Sequence, residues 1–232
     1  MNRVKEFNKT FGVVQSIEQR VKLLIEELEE YWEGVQLVVH AKEKSNVFRA
    51  TQKGYREILD GLIDSRYILY GIMLEDSCKP FDDARMTNAS CLNNDLYVDN
   101  RKVYDSIFDK IIEKDWYFID ACISELLASH GMLYRSEMAF QEVHNSNMSK
   151  ACLTKEEAER VVSDYSTRGE LCYHKKIGDK FIVYNKENKV RKGEHFYEPD
   201  LKSILYPCSC VSEAMKKVCS QCPNGEKYTM YV

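Results

Sequence analysis

The chain has 232 residues, of which 44% are hydrophobic and 11% aromatic, enough for one good-sized core with or without a small appendage. A net charge of −4, from 33 basic and 37 acidic residues, argues against a protein that binds nucleic acid through the phosphate backbone. It leaves a nucleotide substrate open, because a metal ion can reverse the local sign of a site. No apolar run approaches the roughly 20 residues that span a bilayer, so we expect no membrane segment.

The N-terminus and the cysteines favour a cytoplasmic protein. The opening stretch, MNRVKEFNKTFGVV, lacks the continuous apolar run of a signal peptide. The chain has nine cysteines, an odd number, and five of them are scattered singly. This distribution is typical of reduced thiols rather than of a disulfide framework.

The first half of the chain is predicted to be helical on both sides of a long loop. Residues 1 to about 75 contain no proline and have helical character almost throughout. Residues 76–100 are rich in Asp, Asn and Ser without a helical period, which predicts a loop of a length that is often functional. Apolar residues at helical spacing then predict one helix from about 102 to about 129, and a further helix carries MAFQEVHNSNMSK.

After residue 152 the pattern becomes mixed. Thr154 and Glu157 form a capping box that predicts a short helix ending near Gly169. Short β-prone runs separated by turn signals in LCYHKKIGDKFIVYNKENKVRKG predict a small antiparallel meander. We therefore predict a mainly α chain with three parts: a helical domain over 1–152, a short helix and β meander over 153–206, and a Cys-rich tail over 207–232.

The segment LLIEELEEYWEGV places five glutamates within eight positions of a predicted helix. At about 100° per residue, Leu24 and Leu28 belong to one apolar stripe, while Glu26, Glu27 and Glu30 cluster on the other side. By itself this pattern fits any helix with one solvated face.

A second acidic helix, YREILDGLIDSRYILYG, changes that interpretation. Glu57, Asp60 and Asp64 project from one of its faces at i, i+3 and i+7, and no lysine or arginine is interleaved with them. Solvated faces usually mix both signs. The same face carries Gly61 and Tyr67, so we predict a partly buried acidic site.

Packed antiparallel, the two helices would bring several carboxylates together: Glu26, Glu27, Glu30, Glu57 and Asp60. Such a group repels itself unless some members are protonated or a cation lies between them. Oxygen ligands favour Mg²⁺ or Mn²⁺ over zinc, which prefers nitrogen and sulfur.

The spacing of these acids resembles that of a known family. E-E-x-x-E stands here at 26–30, and E-x-x-D follows after 26 residues at 57–60. This arrangement is similar to the signature of the MazG-like, all-α nucleoside triphosphate pyrophosphohydrolase superfamily. VKEFNKTFG, RVKLLIEELEE and ILDGLIDSRYILYG resemble the family's first three helices. FQEVHNSNMSK and NKVRKGEHFYEPDL resemble segments of the branch related to phosphoribosyl-ATP pyrophosphohydrolases.

The resemblance covers most of residues 3–205 and implies a MazG-like bundle of four or five helices with a small C-terminal α+β appendage. Two features depart from the family pattern. The connection over about 76–130 is longer than usual, which leaves the identity of the substrate in doubt, and the cysteine tail beyond Pro207 is not part of the pattern. The family's bundles are typically completed by dimerisation, so a homodimer or larger homo-oligomer is expected.

The resemblance implies hydrolysis between the α and β phosphates of a nucleoside triphosphate, which gives the monophosphate and pyrophosphate. Mg²⁺ or Mn²⁺ would be held by four carboxylates: Glu27, Glu30, Glu57 and Asp60. Asp64 would be a further ligand or would support the ligands. Glu26 would be the general base, or equally an acid that supports the ligands from outside.

Further residues would contact the substrate. Asn147 and Lys150, in the NMSK segment, would contact phosphate or sugar, unless they are ordinary polar residues at a helix end. Phe7 and Phe11 could stack on a base, although core packing of the first helix is the expected role of at least one of them.

The tail YPCSCVSEAMKKVCSQCPNG contains a C-x-C pair and a C-x-x-C pair separated by eight residues. The four thiols could complete a tetrahedral structural zinc site, be reactive, or be incidental: Cys208, Cys210, Cys219 and Cys222.

Two other functions stay open at the level of sequence. One is hydrolysis of a different pyrophosphate-containing substrate such as phosphoribosyl-ATP. The other is a non-catalytic helical interaction module, in which the acidic helices bind a basic partner. The paired metal-ligand spacings on two helices favour the enzyme, because a binding surface does not need them.

Overall fold

The computed structural model describes residues 1–41, 47–78 and 99–206. This part of the chain is mainly helical, which confirms the predicted class. Its elements are α1 (Asn2–Thr10), α2 (Ile17–Ala41), α3 (Val47–Glu75), α4 (Asn100–Glu113), α5 (Trp116–Ser129), α6 (Ser136–Met148), α7 (Lys155–Thr167), β1 (Cys172–Ile177), β2 (Lys180–Asn185) and α8 (Leu201–Leu205), with a 3₁₀ turn at Leu133–Arg135.

Helices α2 and α3 form the centre of the molecule and pack against each other at very short range. A Cβ atom added to Gly61 would lie 2.7 Å from the backbone nitrogen of Tyr31, and one added to Gly34 would lie 2.8 Å from that of Ile58. Residue numbers rise along α3 as they fall along α2, so the pair is antiparallel, as predicted. Only glycine permits this approach of two backbones.

The main core surrounds α3, which is buried on most of its circumference. Leu59, Leu62 and Leu69 have no exposed surface and pack with side chains of α2, α5 and α6. The short helix α8 joins the same core through Leu201 and Leu205. The chain after residue 152 therefore returns to the helical core at α8.

The single helix predicted from about 102 to about 129 is wrong, because the structure has two. Lys114 adopts the left-handed conformation (φ 56°) and ends α4, and the Asp115 side chain then accepts a hydrogen bond from the Phe118 N–H to cap α5. Apolar periodicity did not reveal this break, since an aspartate that caps a new helix leaves the spacing nearly intact. Ile112, one of the periodic apolar residues, is 82% exposed beside it.

The appendage contains a capped helix and a β-hairpin. Both hydrogen bonds of the Thr154–Glu157 capping box are present, which confirms that prediction. Strands β1 and β2 pair antiparallel around a turn with Gly178 at φ +61°, and an isolated bridge joins Tyr184 to Val190. A second bridge joins Phe181 to Cys152, so the predicted meander is, within the described residues, a two-stranded hairpin with two isolated bridges.

The remaining sequence predictions fall partly outside the described residues. Helix α3 ends at Glu75 and a turn follows, but residues 79–98 of the predicted loop and the whole tail from 207 lie outside. None of the described helices is long and apolar enough to cross a membrane.

Candidate metal and phosphate site

The close approach of α2 and α3 gathers acidic side chains from both helices. Gly61 lies opposite Tyr31 and the Glu27 carbonyl oxygen, the latter 2.9 Å from an added Cβ, so the acids of the neighbouring turns face each other. Their charges act on one another across the interface. We name this group the carboxylate cluster: Glu27, Glu30, Glu57, Asp60 and Asp64.

Burial and mutual repulsion change the ionisation of the cluster. Burial, followed by the charges of Glu30 and Asp60, raises the pKa of Glu27 to about 7. Burial and then Glu57 raise the pKa of Asp60 to about 6. Burial, followed by the charge of Glu27, raises the pKa of the half-buried Asp64 well above its usual range. Without a cation, the cluster therefore retains protons close to neutral pH.

One oxygen atom of the cluster, Asp60 Oδ1, indicates which kind of ligand the cluster could bind. Asp60 Oδ1 is buried and accepts no hydrogen bond from any residue that the structure describes. Buried polar atoms are nearly always paired, because an unpaired one loses its hydration without compensation. The carboxylates of Glu57 and Glu30 act on Asp60 against the guanidinium of Arg56, and carboxylate oxygens are the ligands that Mg²⁺ and Mn²⁺ prefer. The residues present thus fit a divalent cation of this kind.

Glu26, the predicted general base, lies at the rim of the cluster. Its side chain is 58% exposed, and its Oε2 atom is 4.0 Å from Nζ of Lys189. It shares the α2 face of Glu27 but projects further out, where solvent reaches it. Its catalytic role stays a prediction.

Lys150 brings positive charge to the cluster from the end of α6. Its Nζ donates a 2.5 Å hydrogen bond to Asn147 Oδ1, and its charge acts on Asp64 and Glu27. Burial lowers the pKa of Lys150, while Asp64 acts in the opposite direction. The NMSK segment is therefore adjacent to the carboxylate cluster. Asn147 and Lys150 must lie there if they contact the substrate, as the sequence predicts.

Phe11 does not fit its predicted role as a stacking platform. It has no exposed surface, and its ring centroid lies 4.4 Å from that of Phe7. It packs in a second core with Ala151 and Ile182, and the Tyr184 hydroxyl donates a 2.5 Å hydrogen bond to its carbonyl oxygen. The alternative role in core packing is correct, because no base can reach a fully buried ring.

Sequence reasoning did not identify Lys189 as a site residue. It follows β2 at the start of the stretch NKVRKGEHFYEPDL, whose family resemblance implies no particular role for this lysine. In the structure it pairs with Glu26, and its charge lowers the pKa of Glu27 and Glu30 against the larger effect of burial. Only the fold of the hairpin onto α2 could have shown this.

A second group with metal-ligand chemistry lies on the surface of the appendage. Ligand-type atoms of Glu157, Glu194 and His195 lie within 4.8 Å of one another. Glu157 already forms the capping box, and Glu194 pairs with Arg160 at 2.7 Å. The zinc site predicted for the four tail cysteines lies outside the described residues.

The chain is similar to a viral protein. An uncharacterized protein of Acanthamoeba polyphaga mimivirus is 27% identical over an alignment of 248 positions, which spans 87% of this chain and 94% of the viral protein. No family model and no solved structure matches the chain. The alignment spans nearly all of the viral protein, whose description as uncharacterized indicates no activity.

Proposed function

We propose that the protein is a Mg²⁺-dependent nucleoside triphosphate pyrophosphohydrolase, which converts a ribo- or deoxyribonucleoside triphosphate and water to the monophosphate and pyrophosphate. The observation that carries the proposal is the carboxylate cluster on the α2–α3 interface, with a buried Asp60 oxygen that has no partner among the described residues. An oxygen-only donor set beside lysines suits the joint binding of a divalent cation and phosphates.

The carboxylates would hold Mg²⁺ between the two helices: Glu27, Glu30, Glu57 and Asp60, with Asp64 behind them. When bound, the ion supplies positive charge that neutralises phosphate oxygens during transfer. Lys150 and Lys189 add two further cationic groups, and the charge of each acts on Glu27. Together they compensate a triphosphate in a protein whose net charge is negative.

Glu26 and Lys189 suggest how the attacking water is deprotonated. In the free protein the two side chains face each other at 4.0 Å. A phosphate that takes Lys189 as its partner leaves the Glu26 carboxylate free to accept a proton from water. That water forms the new bond to the α phosphorus as the bond to the bridging oxygen breaks and pyrophosphate leaves.

The test is release of pyrophosphate from the eight common ribo- and deoxyribonucleoside triphosphates with Mg²⁺. We expect activity on at least one of them, and a loss of at least about 100-fold in Glu30→Gln and Asp60→Asn, because each removes a charged ligand. Glu159→Gln is the matched control, since it removes one exposed carboxylate on α7. Retained activity in both site variants, or none in folded, Mg²⁺-supplied wild-type protein, would contradict the proposal.

The homodimer or larger homo-oligomer belongs to the same proposal. Light scattering coupled to size-exclusion chromatography measures the mass of the particle in solution. A particle of 27.1 kDa, the mass of one chain, would exclude the oligomer without affecting the proposed chemistry.

A further inference from the structure

A pocket of about 290 Å³ lies between the loop that follows α1 and the face of the β-hairpin. Gly12 and Val14 form one side, and residues of both strands and of the following turn form the other. The volume is close to the lower end of the range for small-molecule pockets. No role discussed so far uses this space, which we name the hairpin pocket.

The aromatic wall of the hairpin pocket consists of Tyr173 and Tyr184, which are paired across the two strands. Their ring centroids are 5.5 Å apart and their planes differ by 24°. Tyr184 is 4% exposed and is held by its hydrogen bond to Phe11, whereas Tyr173 is only half-buried. The wall is therefore a rigid aromatic surface, and Tyr173 is the ring that a ligand can reach.

Two polar side chains complete the pocket. Lys175 Nζ lies 5.3 Å and 5.8 Å from the two tyrosine centroids, and it has no ion-pair partner among the residues that the structure describes. Asn188 adopts a left-handed conformation (φ 62°) and accepts a hydrogen bond from the Tyr173 hydroxyl. Its NH₂ group remains a donor, as do the three N–H bonds of the lysine ammonium.

The hairpin pocket is connected to the carboxylate cluster through one residue. Asn188 lines the pocket, and the next residue, Lys189, lies beside Glu26. The charge of Lys189 also acts on Glu27 and Glu30, so the turn that lines the pocket borders the carboxylate cluster. The surrounding segment, residues 172–192, has seven Lys or Arg against two Asp or Glu, and we name it the basic hairpin. Its charge is complementary to an anionic ligand.

We propose that the hairpin pocket binds the nucleobase of the substrate whose phosphates lie at the carboxylate cluster. This inference rests on the proposed function. It assigns a binding site to the base, the part of a nucleotide that distinguishes one substrate from another. The base stacks against Tyr173, and Lys175 and Asn188 donate hydrogen bonds to acceptor atoms on its edge. An aromatic wall with two donors recognises a flat heterocycle better than a phosphate, for which a second cation would replace the rings.

The test is equilibrium binding of nucleoside monophosphates and of ribose 5-phosphate, which has the sugar and phosphate but no base, in the presence of Mg²⁺. We expect at least one monophosphate to bind about tenfold more tightly than ribose 5-phosphate, because stacking on an aromatic ring contributes on this scale. Tyr173→Leu should abolish the difference, whereas Tyr173→Phe should retain most of it. Tyr134→Leu, which changes a 72% exposed tyrosine of the helical part, is the control.

Binding separates this proposal from the proposed function. A base-dependent difference that Tyr173→Leu abolishes supports the hairpin pocket even if no triphosphate is hydrolysed. Equal affinities of wild-type protein for ribose 5-phosphate and every monophosphate would overturn it, as would an unchanged difference in Tyr173→Leu. A Lys175→Gln variant that weakens ribose 5-phosphate as much as the monophosphates would also overturn it, because the pocket would then hold phosphate.

Discussion

The carboxylate cluster and the basic hairpin are adjacent, yet they are organised by different forces. The cluster lies between two helices whose backbones nearly touch, and burial together with like charge raises the pKa values of four of its acids: Glu27, Glu30, Asp60 and Asp64. The basic hairpin keeps most of its charges in water, and exposed ion pairs such as Lys192–Glu198 at 2.6 Å satisfy some of them. Removing a charge from the carboxylate cluster should therefore change the stability of the protein, whereas removing one from the basic hairpin should mainly change ligand binding.

The largest expected effect comes from the helix contact that creates the cluster. Gly61→Ala places a methyl group 2.7 Å from backbone of α2, which cannot move aside as a flexible side chain could. We expect a loss of about 3 kcal/mol in the free energy of unfolding, at the upper end of overpacking effects, together with weaker Mg²⁺ binding. Urea denaturation and Mg²⁺ titration measure the two.

Ser163→Ala, on the exposed face of α7, is the control and should change stability by no more than about 0.5 kcal/mol. A Gly61→Ala protein as stable as this control would show that α2 and α3 do not pack at the distance described.

The next effect is on the pH dependence of stability in metal-free protein. The pKa of Glu27 is about 7 in the folded chain against an ordinary value of 4.5, so between these values the folded state binds more protons than the unfolded state. The contribution of protonated Glu27 to the stability of the folded state is fully present below about pH 4.5 and is lost as pH rises through 7. Glu27→Gln should therefore gain stability relative to wild type between pH 5 and pH 8, by roughly 2 kcal/mol.

The stability of Glu27→Gln must be compared with that of wild type at each pH, since His130 changes the stability of both proteins with pH in the opposite direction. Burial lowers the pKa of His130 to about 4, so its contribution is present above pH 6.5 and is lost as pH falls. Chemical denaturation in EDTA across this range measures the difference. A difference that is constant with pH would mean that Glu27 is not buried among other acids.

A smaller effect is expected where the two regions meet. Lys189→Gln removes the cation beside Glu26 but no buried contact, because the lysine side chain is 51% exposed. We expect nucleotide affinity to fall about fivefold, since exposed charge pairs contribute at most about 1 kcal/mol, with stability unchanged. Calorimetric titration with a nucleoside monophosphate and Mg²⁺ checks this. Lys186→Gln, three residues earlier in the same turn, is the matched control.

The smallest effect concerns surface charge in the appendage. Glu194→Gln removes the 2.7 Å pair with Arg160, in which both side chains are more than 40% exposed. We expect less than about 1 kcal/mol of lost stability and no change in metal affinity. If Glu194→Gln instead lost most of its Mg²⁺ binding, the metal would bind at the Glu157, Glu194 and His195 group and not between α2 and α3.

Much of the helical part was predictable because it follows local rules. Apolar spacing and the absence of proline predicted helices α2 and α3, and the capping box located the start of α7. The one-sign face of α3 predicted a partly buried acidic group, and the acids there are half-buried. The break at Lys114 was missed, since a left-handed residue other than glycine has no strong sequence signal.

The sequence by itself determined which carboxylates share a helix face, since 3.6 residues per turn places Glu27 with Glu30 and Asp60 with Glu57 wherever the helices pack. Only the tertiary structure decided that these faces meet at a glycine contact, that Phe11 is sealed in the core, and that the hairpin brings Lys189 to Glu26. The reason is physical: helix periodicity acts over a few residues, whereas Lys189 and Glu26 meet only because side chains far apart in the chain exclude water together.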